Sequence, residues 1–513
     1  MIFSQRIHSL LGALQSGLYE REHIIAMALI ASIAGESMFL LGPPGVAKSM
    51  IARRLKYAFR HGRAFEYLMS RFSTPDEIFG PVSISRLRDE DRYERLTKGY
   101  LPQSEVVFLD EVWKASPSIQ NTLLTVLNER IFRNGDVDEK MPLQLLMAAS
   151  NELPAQGEGL EALWDRFLVR CMVDSIHRDD LFDAMITDVS EDVVAIPEDV
   201  QLDISEVQSW RESIRQITLP PLVLYFIHAL RQELLSPSQS DKSPLPVYVS
   251  DRRWKKSVNL MRTSAFLMGQ SEVHLADALL LSHVLWSTTE ELAVVHRMMT
   301  NALTKALSGF LGVELAQERL DALRTELKCG PSSFGQERKL RVVHAFYHQL
   351  KTRSGKTILI YINELNTLSA TSDTPYILMT DKMKTQAQIL KKYERSRHPG
   401  IFPKDILQVH RQGDSVVVNG VEYPLVYEEE DHPMPSPRQA SLTEDHRAMM
   451  QRILVQNREL ESQFNLWRET EDSYQHDHLF VDDKQRAMFS SALKNVTYSI
   501  KRLLTESEEV CSL

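Results

Sequence analysis

Hydrophobic and polar positions change their rhythm three times along the chain. Up to about residue 195, short unbroken apolar runs alternate with amphipathic stretches. Residues 24–34 form an apolar, alanine-rich run that reads as a buried helix. Residues 38–41, 106–109 and 145–149 are shorter apolar runs, each ending in polar residues. Runs this short, set between helices, predict a parallel sheet covered on both faces, with its chemistry at the strand ends. A polar, proline-containing stretch at 236–244 then divides two helical patterns, 223–235 and 253–268, so a small helical subdomain is predicted over 197–288.

Beyond it the apolar positions step by three and four. Leu292, Val295 and Met299 start a stripe that continues through Leu320, Leu323 and Leu327. Met450, Ile453, Asn457, Leu460, Phe464 and Trp467 form a second, and Phe489, Leu493, Val496, Ile500 and Leu503 a third. Three such stripes predict a helical bundle, one helix before and two after an insertion. Ser441 and Glu444 are spaced as a capping box for the second helix. The insertion reads as a small β-rich domain: 357–362 is strand-like, and Asn419-Gly420 between 415–418 and 421–427 is a hairpin signal. The predicted organisation is an α/β subdomain over 1–196 and a helical lid over 197–288. A discontinuous bundle then takes 289–329 and 440–513, and the inserted domain 330–439.

Composition narrows the function classes. The chain has 513 residues, with 59 Lys plus Arg against 69 Asp plus Glu, a formal charge of -10. An acidic balance disfavours duplex binding by the whole surface. Cys171, Cys329 and Cys511 are far apart and odd in number, so neither a disulfide framework nor a zinc knuckle is expected. No secretory signal is read at the N-terminus, and the expectation is a cytoplasmic protein. His344 and His348, spaced as one helix face, lack the glutamate of a zinc-protease motif. His476-Asp477-His478 reads as a polar loop. Lys382, Lys384, Lys391, Lys392, Arg395, Arg397 and Lys404 read equally as a solvated face or as a docking surface for an acidic partner.

The chemistry is concentrated at two strand ends. Gly42-Pro43-Pro44-Gly45-Val46-Ala47-Lys48-Ser49 follows an apolar strand and precedes a helix, the context that a phosphate-binding loop requires. Backbone N–H groups of such a loop curl around phosphate, and the helix N-terminus adds positive potential. Lys48 would reach the β- and γ-phosphates of ATP or ADP, and the Ser49 hydroxyl would ligate Mg2+. Alanine at 47, where glycine is usual, is expected to fit because that residue would already have helical dihedrals. Val106-Val-Phe-Leu-Asp110-Glu111 ends a strand in two carboxylates: Asp110 to hold Mg2+, Glu111 to polarise the attacking water. A helix N-cap is the bland alternative for a lone Asp-Glu pair.

These motifs, with Ala148-Ala-Ser-Asn151 ending a third strand, resemble an AAA+ ATPase. Arg71-Phe-Ser-Thr-Pro-Asp-Glu-Ile-Phe-Gly80 and Asn128-Glu-Arg-Ile-Phe-Arg-Asn-Gly135 resemble the MoxR family of AAA+ proteins. Gly17-Leu-Tyr-Glu-Arg21, Ala64-Phe-Glu-Tyr-Leu68, Arg92-Tyr-Glu-Arg-Leu96 and Tyr248-Val-Ser-Asp-Arg-Arg-Trp-Lys-Lys256 are similar to its RavA-type regulatory ATPases. The resemblance covers about 1–290 in motifs and 330–440 in layout alone. It implies that Asn151 is sensor 1, orienting water, that Arg166 is an arginine finger, and that Arg252 is sensor 2, with Arg253 able to exchange roles. It also implies that Tyr19 lies against adenine and that residues 42–50, through Met50, cradle the nucleotide. As partners it implies a homohexamer, a von Willebrand factor A-domain protein and, for some members, an inducible lysine decarboxylase held by the inserted domain. The work it implies is chaperone-like remodelling linked to membrane respiratory complexes. A nucleotide-sensing scaffold and a nucleic-acid motor are the rival readings. The intact Glu111, Asn151 and Arg166 count against the first, and the acidic charge against the second.

Overall fold

The computed structural model describes residues 3–155, 157, 159–188, 196–235, 247–329, 339–340, 342–343, 347–350, 358–361, 364–365, 368–369, 372–380, 388–393, 405–428 and 444–512. They divide into two compact units, one of 1–321 with 444–513, the other of 322–443.

The first unit is built on a five-stranded parallel sheet of β1 (Ser37–Leu41), β2 (Ala64–Leu68), β3 (Val106–Asp110), β6 (Leu145–Ser150) and β7 (Phe167–Met172), in the order β2-β3-β6-β1-β7. Between β3 and β6 the chain makes a hairpin of β4 (Ile131–Asn134) and β5 (Val137–Lys140). Alternate residues of the central strands enter two separate cores. Phe39, Leu41, Val107, Leu109, Leu146 and Ala148 pack on one face, and Met38, Leu40, Val106, Phe108, Leu145 and Met147 on the other. That two-sided burial is why these strands read as unbroken apolar runs. Edge strand β2 alternates between exposed and half-buried positions instead. Strand β7 escaped the hydrophobic reading because Arg170 interrupts its apolar run, yet Arg170 is fully buried.

Helices α1 (Phe3–Gln15), α2 (Glu22–Ala34) and α3 (Lys48–Leu55) cover one face. Buried on nearly all sides, α2 ends where Gly35 takes a left-handed φ of 72° and returns its N–H to Ala31 and Ser32. After the sheet come the helices Ile204–Gln216, Pro221–Leu235 and Asp251–Leu267. Two long helices, Glu444–His476 and Asp483–Cys511, form the last part of the unit. Asn457, the polar member of its apolar stripe, is buried and donates to Ser507 Oγ across the pair at 2.8 Å. The stripe 292–327 is not one helix. It breaks into Thr289–Leu311 and Val313–Cys329 at Gly312, whose φ of 75° caps the first. His478 is also not in a solvated loop: it is buried, 3.1 Å from the equally buried Asp277.

The second unit is the β-rich insertion. It contains β8 (Lys339–Leu340), β9 (Val342–Val343), β10 (Tyr347–Leu350), β11 (Ile358–Tyr361), β12 (Thr374–Thr380), β13 (Gln388–Lys392), β14 (Leu407–Gln412), β15 (Ser415–Val418), β16 (Val421–Pro424) and β17 (Tyr427–Glu428). Eight of them form one sheet, ordered β16-β15-β14-β12-β13-β11-β10-β9, around Leu350, Ile360, Tyr376, Leu390, Val409 and Val416. Asn419 and Gly420, both at positive φ, make the β15–β16 turn. His348 lies on a strand, so the helical spacing expected of His344 and His348 does not exist there. His344, Ser441, Lys382, Lys384, Arg395, Arg397 and Lys404 lie outside the described residues.

Candidate functional site

The adjacent strands β3, β6 and β1 deliver their C-terminal ends to one place. After Leu41 the chain leaves the sheet at Gly42, whose N–H donates to the Ser150 carbonyl at 3.2 Å. Only glycine fits at this exit, because a Cβ would stand 2.1 Å from the Val173 carbonyl oxygen. The loop then turns into α3 through Ala47, at φ 64° and ψ 25°. The expectation of helical dihedrals at Ala47 is therefore wrong. The residue caps α3 from outside in a left-handed conformation, which costs an L-residue about 1–2 kcal/mol.

Lys48, at the start of α3, is buried. Its ammonium donates to the Gly42 carbonyl at 2.5 Å, the Pro43 carbonyl at 3.2 Å and Asn151 Oδ1 at 2.8 Å. Asn151 follows β6, and its amide donates onward to Glu111 Oε1 at 2.9 Å. Glu111 follows β3 at φ 53°, and its other carboxylate oxygen is 3.3 Å from Lys114 Nζ. Asp110, the last residue of β3, accepts from the Glu111 N–H at 3.0 Å. Burial pulls the Lys48 ammonium below its ordinary value, and the Asp110 and Glu111 carboxylates oppose that shift. Lys48, Asn151 and Glu111 thus form one hydrogen-bonded chain across three strand ends. Ser49 follows Lys48 in the first turn of α3, so a hydroxyl and the Asp110 carboxylate offer the hard oxygen donors that magnesium prefers.

The remaining candidates have other partners. The Tyr19 hydroxyl donates to Asp188 Oδ2 at 3.0 Å, a bond that raises the phenol's pKa. Two residues on, buried Arg21 donates to the Val46 carbonyl at 3.3 Å and to the Asp174 carbonyl, tying segment 19–21 to the phosphate loop. Arg166 does not join the Lys48–Asn151–Glu111 chain. It is half-exposed, and its Nε donates to Asn128 Oδ1 at 3.1 Å. Burial lowers its pKa, and the nearby Arg252 charge lowers it further. The two neighbours Arg252 and Arg253 differ sharply. Arg253 is buried, 3.2 Å from Asp165 Oδ1, whereas Arg252 is half-exposed.

Several residues that hold this region gave no signal along the chain. Asp165 takes the Arg253 guanidinium and the Ser250 hydroxyl, joining the end of the core to the start of the helix Asp251–Leu267. Buried Glu36 pairs with Lys256 of the same helix. Arg170 stacks 3.7 Å from the Trp164 ring centroid and donates to the carbonyls of Trp164, Phe167 and Trp286. Burial pushes its pKa well below the guanidinium range.

A family profile described as the MoxR domain in the MoxR-vWA-beta-propeller ternary systems matches residues 5–211, and an AAA lid domain matches 222–299. One uncharacterized protein of Methanocaldococcus jannaschii is 37% identical over 61% of this chain and 78% of its own length. A second from the same organism is 35% identical over 74% of this chain and 96% of its own. A solved structure of a candidate ATPase from Cytophaga hutchinsonii is similar over 59% of this chain and 94% of its own, with 18% identity and a TM-score of 0.48. With a nucleotide-binding sheet followed by an AAA lid, and close relatives matched along most of their length, the chain belongs to the MoxR family of AAA+ proteins.

Proposed function

We propose that the chain is a Mg2+-dependent ATPase, of RavA type, that converts ATP to ADP and phosphate and uses the cycle to remodel protein partners. The observation that carries the reading is the Lys48–Asn151–Glu111 chain at the ends of β1, β6 and β3. Lys48 exchanges its loop carbonyls for β- and γ-phosphate oxygens, a charge-assisted contact. Gly45, Val46 and Ala47, with Lys48 and Ser49 at the start of α3, present backbone N–H groups to the phosphates. Ser49 and Asp110 would hold Mg2+, which would supply charge neutralisation at the phosphates. Glu111 accepts the proton of the attacking water, and Asn151, bonded to both Lys48 and Glu111, fixes that water's position. Tyr19, placed beside the loop by Arg21, lies against the adenine. With Arg253 committed to Asp165, Arg252 is the sensor 2 arginine.

Arg166 lies off this chain of bonds, on the half-exposed side with Arg252, as suits a finger that completes a neighbour's site. A site completed in this way closes into a ring, and a homohexamer is the proposed assembly. The exposed apolar side chains Leu68, Phe72, Ile84 and Val137 on the core support a surface that is covered in an assembly. The described family points to a von Willebrand factor A-domain partner and through it to a β-propeller protein. Chaperone-like action on membrane respiratory complexes, and a lysine decarboxylase on the inserted domain, are the further partnerships proposed. The test is phosphate release by the full chain with Mg2+ and with a chelator, followed by capture of partners on a Glu111→Gln chain in ATP. Mg2+-dependent release and an A-domain protein in the capture are expected. A chain that binds ATP without releasing phosphate would instead be a nucleotide-sensing scaffold.

A further inference from the structure

Away from the phosphate loop, three metal-competent side chains meet at the first turn of α2, the end of the lid and the start of the last helix. His23 Nε2 is 2.8 Å from His283 Nε2 and 3.6 Å from Asp482 Oδ2, and His283 Nε2 is 4.0 Å from the same oxygen. All three residues are half-buried. The fold aims each one. Asp482 is the N-cap of Asp483–Cys511: its Oδ1 accepts the Gln485 N–H at 2.7 Å, which turns Oδ2 toward the rings. His283 ends the turn Leu279–His283, and the backbone of Arg170 hydrogen-bonds to its ring. Cys171 Sγ lies 3.8 Å from His283 Nδ1, on the side of the ring away from the cluster. Nε2 is therefore the atom that His283 presents to His23 and Asp482.

We propose that His23, His283 and Asp482 hold a divalent first-row transition cation, zinc by preference, through two imidazole Nε2 atoms and one carboxylate oxygen. Two histidines and a carboxylate are a donor set suited to zinc and its neighbours, with a further position left to water. At metal–ligand distances of about 2.0–2.2 Å, tetrahedral donors stand about 3.3–3.5 Å apart. The observed separations of 2.8, 3.6 and 4.0 Å bracket that range, so movements of about half an ångström complete the site. Without a cation, one ring must donate its Nε2–H to the other. With one, both rings present lone pairs and the proton of the donor ring moves to that ring's own Nδ1; for His283, the Arg170 backbone and Cys171 are the outer shell that orients a ligating histidine. The cation would clamp α2 to the lid and to the last helix, segments about two hundred residues or more apart along the chain.

The full chain, stripped with a chelator and kept free of nucleotide, is titrated with Co2+ as an optical probe and then with Zn2+. One Co2+ per chain is expected, with the visible bands of a four- or five-coordinate site, displaced by Zn2+, together with a Zn2+-dependent rise in Tm. His23→Gln, His283→Gln and Asp482→Asn should each weaken Co2+ binding at least about 10-fold. Asparagine still caps a helix, so Asp482→Asn removes the charge and keeps the fold. Asp110→Asn should leave the Co2+ signal unchanged. A wild-type chain that binds neither ion overturns the assignment. So does a Co2+ signal that persists in folded Asp482→Asn and His23→Gln, or one lost in Asp110→Asn.

Discussion

The turn after β1 and the turn after β3 meet at one site, and each places a non-glycine residue in the left-handed region: Ala47 at φ 64° and Glu111 at φ 53°. Their reasons differ. At Glu111 the strained backbone aims a carboxylate at the Asn151 amide and Lys114, so the side chain is the purpose of the conformation. At Ala47 only the backbone is needed, to swing the loop into α3. Strain of this kind persists where the surroundings over-determine it, and it collects at functional sites. On the proposed function, the first turn is a backbone device for phosphate and the second a side-chain device for water. Substitutions should therefore separate binding from turnover.

The largest effect should come from a residue in neither turn. Arginine fingers contribute about 10³–10⁵ in rate, and Arg166→Ala should lose turnover on that scale while still binding ATP. Mixed with Lys48→Ala chains and allowed to exchange subunits, it should recover activity. The interface pairing an intact phosphate loop from one chain with an intact finger from the other has both parts. Energy transfer between labelled chains verifies the exchange; verified exchange without rescue would place Arg166 outside any shared site.

Glu111→Gln comes next. Loss of a general base removes about 10²–10⁴ in rate. Glutamine can still accept from Asn151, so ATP affinity should hold while turnover falls. Unchanged turnover would move the base elsewhere. Lys48→Ala should act on the opposite parameter. A charge-assisted hydrogen bond is worth about 1.5–3 kcal/mol, so losing contacts to two phosphates should weaken ATP binding on the order of 100-fold or more. Without nucleotide the fold should persist at a somewhat lower melting temperature, because the Gly42 and Pro43 carbonyls and Asn151 lose their donor. Wild-type affinity in this variant would remove the phosphate-loop assignment.

Much of this site was legible because its parts sit next to strand ends along the chain. Asp110, Glu111 and Asn151 lie at the ends of short apolar runs and Lys48 follows one across the loop 42–47, and the sheet order brings the strand ends together. What holds them was not legible, because its contacts join distant segments. Arg21 on the Val46 carbonyl, Arg253 on Asp165 and Lys256 on Glu36 are long-range pairs with no local pattern. Burial of polar side chains misled twice. Arg170 hid β7, and His478 looked solvated although Asp277 buries it. The helix stripe at 292–327 failed for a simpler reason: apolar periodicity runs through Gly312 while the backbone does not.

The smallest effect should come from the first turn itself. Glycine at 47 removes the Cβ penalty of the left-handed conformation, about 1–2 kcal/mol. It also adds freedom to the unfolded chain, which costs about 0.5–1 kcal/mol. The balance favours Ala47→Gly by about 0–1.5 kcal/mol, a rise in Tm of at most a degree or two for a unit of this size. ATP affinity should stay the same or tighten slightly, because the loop N–H groups keep their directions. Glu111→Gly supplies the contrast: it relieves the same kind of backbone strain but deletes the carboxylate, so stability should hold while turnover collapses. Melting curves and nucleotide titrations of the two variants, side by side, decide the matter. If Ala47→Gly lost affinity by tenfold or more, the methyl group would be shown to position the loop, and the distinction between a backbone turn and a side-chain turn would fail.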